Sequence, residues 1–193
     1  LCRWFDSTSG HHFSLGVTKN MKNKQTKHDD GCLGLEGVLD KEVMLKYNEF
    51  IVREALKNNR SVKKILDFGA GIGTLAMIFK NKFLIETLCV EVDEKNKALL
   101  SKRNLTHFDS LEEVNEDLDL IFSSYVQNIE DDISILKDMG SKLSANGKIY
   151  LYLPAKMFLW SDLDEKAGHF RRYEIGELKA KCRQAGLKIE KLH

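Results

Sequence analysis

Ile65-Leu66-Asp67-Phe68-Gly69-Ala70-Gly71-Ile72-Gly73-Thr74 decides the fold. An apolar run breaks into three alternating glycines, the pattern of a buried strand that ends in a tight turn and opens a helix. The spacing differs from the Gly-x-Gly-x-x-Gly of dinucleotide binders. Thr74 takes the place of that third glycine, and the acid Asp67 stands two residues before the first.

Outward from this turn, strand and helix patterns alternate. Apolar residues from Val38 to Leu56 recur every three to four positions, which predicts an amphipathic helix over 36–58 with Asp40 as a plausible N-cap. Strands are expected at 64–68, 87–92, 105–108, 118–123 and 148–153, and helices at 73–81, 94–103, 131–143 and 174–185. Asn146-Gly147 is expected to turn, Gly186 to cap the last helix, and 187–192 to start a sixth strand. This alternation implies an α/β fold, a Rossmann-like, doubly wound and mostly parallel sheet with helices on both faces. Ligands of such sheets bind beyond the C-terminal strand ends at the switch point, where the glycine turn would lie.

The 193 residues suit a single domain with a real core. Residues 1–34 lack periodicity and read as a flexible arm, and 35–193 as the folded domain. Met21 would serve as a start, making 1–20 an upstream extension or a cloning remnant. His11-His12 is too short for a metal site. A net charge of +1 gives no basic field for nucleic acid. No apolar run approaches the ~20 residues of a membrane span. The four cysteines show no ligand spacing, so no metal site is expected, and they read as reduced thiols of a cytosolic protein.

The acid-led glycine turn resembles motif I of class I S-adenosylmethionine (SAM)-dependent methyltransferases. The resemblance runs from Leu35 to Leu192. It implies a transferase that moves a methyl group from SAM to a small-molecule or envelope-type acceptor and leaves S-adenosylhomocysteine. Gly69, Ala70, Gly71 and Gly73 would let the backbone approach the cofactor, and the helix N-terminus suits a carboxylate. The plainer alternative is a turn and nothing more. In the family, the acid at Asp67 lies near the amino-acid end of SAM. Glu91 ends the second strand roughly 20 residues past the glycine loop, where a carboxylate meets a ribose diol. Val92 follows it, and Asp93 either caps the next helix or exchanges roles with Glu91. Asp109 matches the family's adenine-binding acid, beside Ser110. The alternative for it is the N-cap of a helix that starts at Leu111.

Phe122-Ser123-Ser124-Tyr125-Val126-Gln127-Asn128 resembles motif IV, but Gln127 and Asn128 stand where Glu and His are frequent. The resemblance places Ser123, Ser124 and Tyr125 beside the transferred methyl, with catalysis by alignment and desolvation. Farther on, Pro154-Ala155, Leu159-Trp160-Ser161, Asp162 and Gly168-His169-Phe170-Arg171-Arg172-Tyr173 resemble a loop signature of one bacterial methyltransferase subgroup. There His169 is a candidate general base, and Arg171 and Arg172 are candidates to clamp an anionic acceptor. Tyr173 and Trp160 are further substrate candidates. The alternative is that Arg171, Arg172 and Tyr173 pin a lid, and that Phe158, Leu159 and Trp160 form a latch.

Class I domains usually end in a further antiparallel strand. Here that C-terminal strand is expected to be missing, which would leave an incomplete domain and keep both monomer and homodimer open. Two other functions are carried: a SAM-binding protein without turnover and a nicotinamide-dependent oxidoreductase.

Overall fold

The computed structural model describes residues 41–57, 59, 61–124, 132–162, 164 and 172–192. Five strands lie among them: β1 (Lys64–Phe68), β2 (Glu86–Val90), β3 (Thr106–Phe108), β4 (Leu118–Ser124) and β5 (Leu143–Tyr152). The helices are α1 (Lys41–Leu56), α2 (Thr74–Phe83), α3 (Glu94–Lys102), α4 (Asp132–Ser141) and α5 (Ile175–Gln184). The five strands form one sheet in the order β3-β2-β1-β4-β5, and every pair is parallel.

Alternation along β1 divides the core. Ile65 faces α1 and α2, where it joins Leu120, Phe122, Ile51, Val52, Ala55 and Phe79. Phe79 and Phe122 meet edge to face at 5.3 Å, and Tyr150 stacks on Phe122 at 5.8 Å. Leu66 and Phe68 face the other side, with Leu88, Val90, Ile121, Ile135 and Met139. Both faces are thus covered, which is why β1 and β4 read as near-continuous apolar runs. Leu136, Leu178 and Cys182 join α4 to α5. No helix of the described residues is long and apolar enough to cross a membrane.

Two expectations need correction. Asn146-Gly147 does not end a separate turn before the strand, because β5 already starts at Leu143. Its register against β4 jumps between Leu118↔Leu143 and Leu120↔Lys148, so the intervening residues bulge. Gly147 permits this: a Cβ there would lie 2.5 Å from the Leu118 carbonyl oxygen. The strand expected over 187–192 does not form among the described residues. Leu187, Ile189 and Leu192 instead pack onto the α4–α5 cluster, and Glu190 pairs with Lys148. Apolar alternation here marks packing without a ladder.

β1 lies between β2 and β4, and the connection after β1 runs toward β2 while the one after β4 runs the opposite way, toward β5. The C-terminal end of β1 is the switch point of the sheet, where this architecture opens a crevice.

Candidate cofactor-binding site

The chain leaves β1 through three left-handed glycines: Gly69 (φ 76°), Gly71 (φ 55°) and Gly73 (φ 80°). The turn is tied to β2, because the N–H groups of Gly69 and Ala70 both donate to the Val90 carbonyl, at 2.9 and 3.1 Å. Gly71 and Gly73 are bare for different reasons. A Cβ at Gly71 would meet nothing within 4 Å, so the turn has an open face there. A Cβ at Gly73 would lie 2.5 Å from Leu100 Cδ2 and 2.7 Å from Leu105 Cδ1. Any side chain at Gly73 would thus collide with the packing between α3 and β3. Gly73→Ala is expected to cost about 2–4 kcal/mol in urea denaturation, from overpacking and left-handed strain together. Gly71→Ala is expected to cost only about 1–2 kcal/mol, because strain acts alone. Equal losses would contradict the division of roles.

Glu91 comes directly to the glycine turn. Its Oε2 accepts from the Gly71 N–H at 2.6 Å, and its Oε1 accepts from the N–H groups of Val92 (2.8 Å) and Asp93 (2.9 Å). The carboxylate is 8% exposed. Three donors leave one of its roughly four acceptor directions for a further hydroxyl. Asp93 caps α3, with its side chain accepting from the Asn96 N–H at 2.9 Å. The local pattern thus separates the two acids: Glu91 turns to the glycine turn and Asp93 to the helix.

Asp67 pairs with Cys89 across the β1–β2 ladder and is 2% exposed. The Ala76 backbone N–H, in the first turn of α2, acts on this carboxyl in favour of its charged form. Burial pushes its carboxyl up to about 7, the charge of Glu91 pushes the same way, and the Ala76 bond opposes both. Burial raises the Cys89 thiol, with the two acids adding to the effect.

Asp109 follows β3 and binds Lys97 Nζ at 2.7 Å, with its side chain about two-thirds exposed. Lys97, also paired with Glu94, is held above its ordinary range first by the Asp109 hydrogen bond. Ser110 occupies the N-cap position of the short turn Leu111–Glu113 and makes no side-chain cap bond. Val92 is 51% exposed at the tip of β2, an apolar surface beside Glu91. On the other flank Ser123 is fully buried, and its Oγ donates to the Phe68 carbonyl at 2.7 Å. Ser124 ends β4 and is also buried.

Beyond β5 the chain folds back through a bridge between Ala155 and Tyr173. Arg172 grips Asp164 with two bonds, Nε–Oδ1 at 3.0 Å and Nη2–Oδ2 at 2.9 Å, and donates Nη1 to the Ala155 carbonyl at 3.1 Å. These bonds turn the Arg172 guanidinium inward, onto Asp164 and the Ala155 carbonyl. Tyr173 is buried in the α4–α5 cluster, under Lys181 Nζ at 5.4 Å from its ring centre. Trp160 is partly exposed after the turn Met157–Leu159, whose Phe158 is strongly exposed. Tyr125, His169 and Arg171 lie outside the described residues, as do Gln127 and Asn128.

The structure therefore gathers Asp67, Gly69, Ala70, Gly71 and Glu91 into one corner, flanked by Val92 on the β2 side and by Ser123 and Ser124 on the β4 side. Sequence reasoning missed Asp164, Lys97 and Arg103. Asp164 had a weak signal, an acid eight residues before an arginine in one loop.

A parallel sheet with a bare turn at its switch point and a carboxylate just past the neighbouring strand is the arrangement of the doubly wound α/β class. The sequence profile of a methyltransferase domain matches residues 40–192, and the chain belongs to that family. A search of curated proteins finds no match. Among solved structures, the fold is similar to a SAM-dependent methyltransferase from Archaeoglobus fulgidus (TM-score 0.60, 16% identity, 76% of this chain and 74% of that one). It is similar also to the mitomycin 7-O-methyltransferase MmcR (TM-score 0.58, 19% identity, 77% of this chain and 49% of that one). A third is DesVI from Streptomyces venezuelae (TM-score 0.50, 15% identity, 60% of this chain and 52% of that one). The chain spans about half the length of MmcR and DesVI.

Proposed function

We propose that this protein transfers a methyl group from SAM to a small-molecule or envelope-type acceptor. The observation that carries the proposal is the contact between the Gly71 N–H and Glu91 beside an open glycine face. An open backbone face beside the carboxylates of Glu91 and Asp67 suits a nucleoside with a cationic amino-acid tail. The methyltransferase family match favours methyl transfer over hydride transfer.

In this proposal the remaining acceptor direction of Glu91 takes a ribose hydroxyl, and the exposed face of Val92 covers one side of the base. Asp109 receives an adenine amino group while Lys97 holds its other oxygen. The N–H groups at the start of α2 receive the methionine carboxylate, and buried Asp67 offsets the cationic tail. Gly69 and Ala70, held to Val90, keep the backbone close. Ser123 holds the β4 tip against β1, and Ser124 and Tyr125 border the reacting centre. Bound SAM supplies an electrophilic methyl on a sulfonium, and alignment with water excluded is what the chain must provide. We assign His169 the role of general base, Arg171 that of anion clamp, and Trp160 a place in the acceptor pocket; Tyr173 closes its floor. Arg172 acts through Asp164. Both described cysteines are free and buried, which supports a reducing cytosolic setting. We propose a monomer or homodimer acting without nucleic acid.

SAM or S-adenosylhomocysteine at 100 times its Kd is expected to stabilise the protein by about 2.7 kcal/mol in thermal melts. Glu91→Ala is expected to abolish that shift. Unchanged ligand stabilisation in the variant would overturn the ribose assignment, and NADH binding without SAM binding would overturn the function.

A further inference from the structure

The Ile72 carbonyl lies between two left-handed glycines, just before α2, outside any regular ladder. Arg103 reaches it from 31 residues away: Nη1 donates to the Ile72 oxygen at 2.8 Å and approaches Thr74 Oγ1 at 3.5 Å. The arginine is itself fixed. It is the C-cap of α3, and its backbone N–H is shared between the Leu99 and Leu100 carbonyls at 3.0 and 3.1 Å. Leu100 and Leu105, on either side of it, are the side chains that press on Gly73. One corner, the end of α3 and its link to β3, thus supports the turn by packing at Gly73 and by charge at Ile72.

The glycines make that support necessary. A turn with three left-handed glycines has a broad choice of backbone states, and its peptide planes rotate at little steric cost. Within the turn, the N–H of Gly73 donates to the Ala70 carbonyl at 2.8 Å and holds the 72–73 peptide plane from its N–H side. The guanidinium on the Ile72 oxygen holds the same plane from its carbonyl side. The Ala70 carbonyl that takes the Gly73 bond shares its peptide with the Gly71 N–H that faces Glu91.

We propose that Arg103 is a positioning residue for the cofactor: it orients the Ile72–Gly73 peptide, and through it the Gly71–Glu91 pair, without touching the ligand. The proposal rests on the cofactor reading above. Losing one charge-assisted hydrogen bond is expected to weaken S-adenosylhomocysteine binding on the order of 10- to 100-fold.

The test is calorimetric titration of the full chain with S-adenosylhomocysteine at 10 °C, where circular dichroism shows each variant folded. Arg103→Met is expected to bind 10- to 100-fold more weakly, on the same estimate. Arg103→Lys is expected to recover part of the affinity, and low-millimolar guanidinium is expected to restore part of it to Arg103→Met. A purely structural role would lower the melting temperature without rescue by either. Amide exchange at Gly71 and Gly73 is followed in parallel and is expected to quicken in Arg103→Met. Binding within twofold of wild type, or unchanged exchange, would overturn the proposal. If the wild type binds neither SAM nor its product, the cofactor reading fails, and quickened exchange would still show Arg103 holding the turn.

Discussion

Arg172→Met is expected to destabilise the protein by roughly 3–5 kcal/mol, because it takes a two-bond counter-charge away from a buried carboxylate. Asp164 has no solvent exposure, and the Arg172 side chain is 9% exposed. Two bonds join them, and Asp164 Oδ2 also accepts from the Ser161 N–H at 2.9 Å and its hydroxyl at 3.2 Å. The pair ties the chain after β5 to the strand-end bridge, since Arg172 also holds the Ala155 carbonyl. Arg172→Lys is expected to lose much of this as well, because an ammonium cannot reproduce the planar two-bond fork. The double variant Asp164→Leu/Arg172→Met is expected to recover stability relative to either single change, since no buried charge remains. Urea denaturation of the four proteins measures the coupling. A loss under about 1 kcal/mol in Arg172→Met would rank the contact with exposed ion pairs and contradict its burial.

The parts that were legible in the sequence are those whose chemistry is local. Three glycines after an apolar run announce a strand, a turn and a helix, and β1, Gly69–Gly73 and α2 follow that order. Asp93 was legible as a cap because an N-cap acid and the amide it binds lie three residues apart. Glu91 was legible through its distance from the glycine turn, which parallel pairing of β1 with β2 converts into contact. What stayed hidden depends on residues distant in sequence. An arginine donating to a backbone carbonyl leaves no pattern, so Arg103 looked like any surface cation at a helix end. The Asp164–Arg172 pair was hidden because a clamp for an anionic acceptor and a clamp for an internal carboxylate need the same side chain. Only burial distinguishes them. Gly147 suggested a turn, whereas its missing side chain serves a close pass over the Leu118 carbonyl. Residues 187–192 alternate as a strand would, but burial against α4 and α5 satisfies that pattern without pairing.

Asp67→Asn is expected to stabilise the ligand-free protein above pH 7 while weakening SAM binding. The carboxyl of Asp67 rises from an ordinary 3.8 to about 7, first through burial and then through Glu91. The sign follows from which state holds the proton more tightly. Here it is the folded state, so the contribution of this group to stability is full below about pH 4. It falls as pH rises toward 7 and is flat beyond, where it withdraws on the order of 4 kcal/mol as a ceiling. An asparagine keeps an oxygen for the Ala76 N–H and carries no charge. The variant's advantage is therefore expected to open between about pH 4 and pH 7, and urea denaturation across that range measures it. The same carboxylate, costly to ionise where it is buried, suits a cation. SAM affinity in the wild type is expected to increase from pH 5 to pH 8 as Asp67 ionises, with proton release on binding, and to be nearly flat in Asp67→Asn. If the variant is less stable than wild type at pH 8, burial is not what raises Asp67, and the electrostatic account of this corner fails. If it is more stable but binds SAM as well as wild type at every pH, Asp67 serves α2 alone, and the cationic tail is met by Glu91 or by the β4 tip.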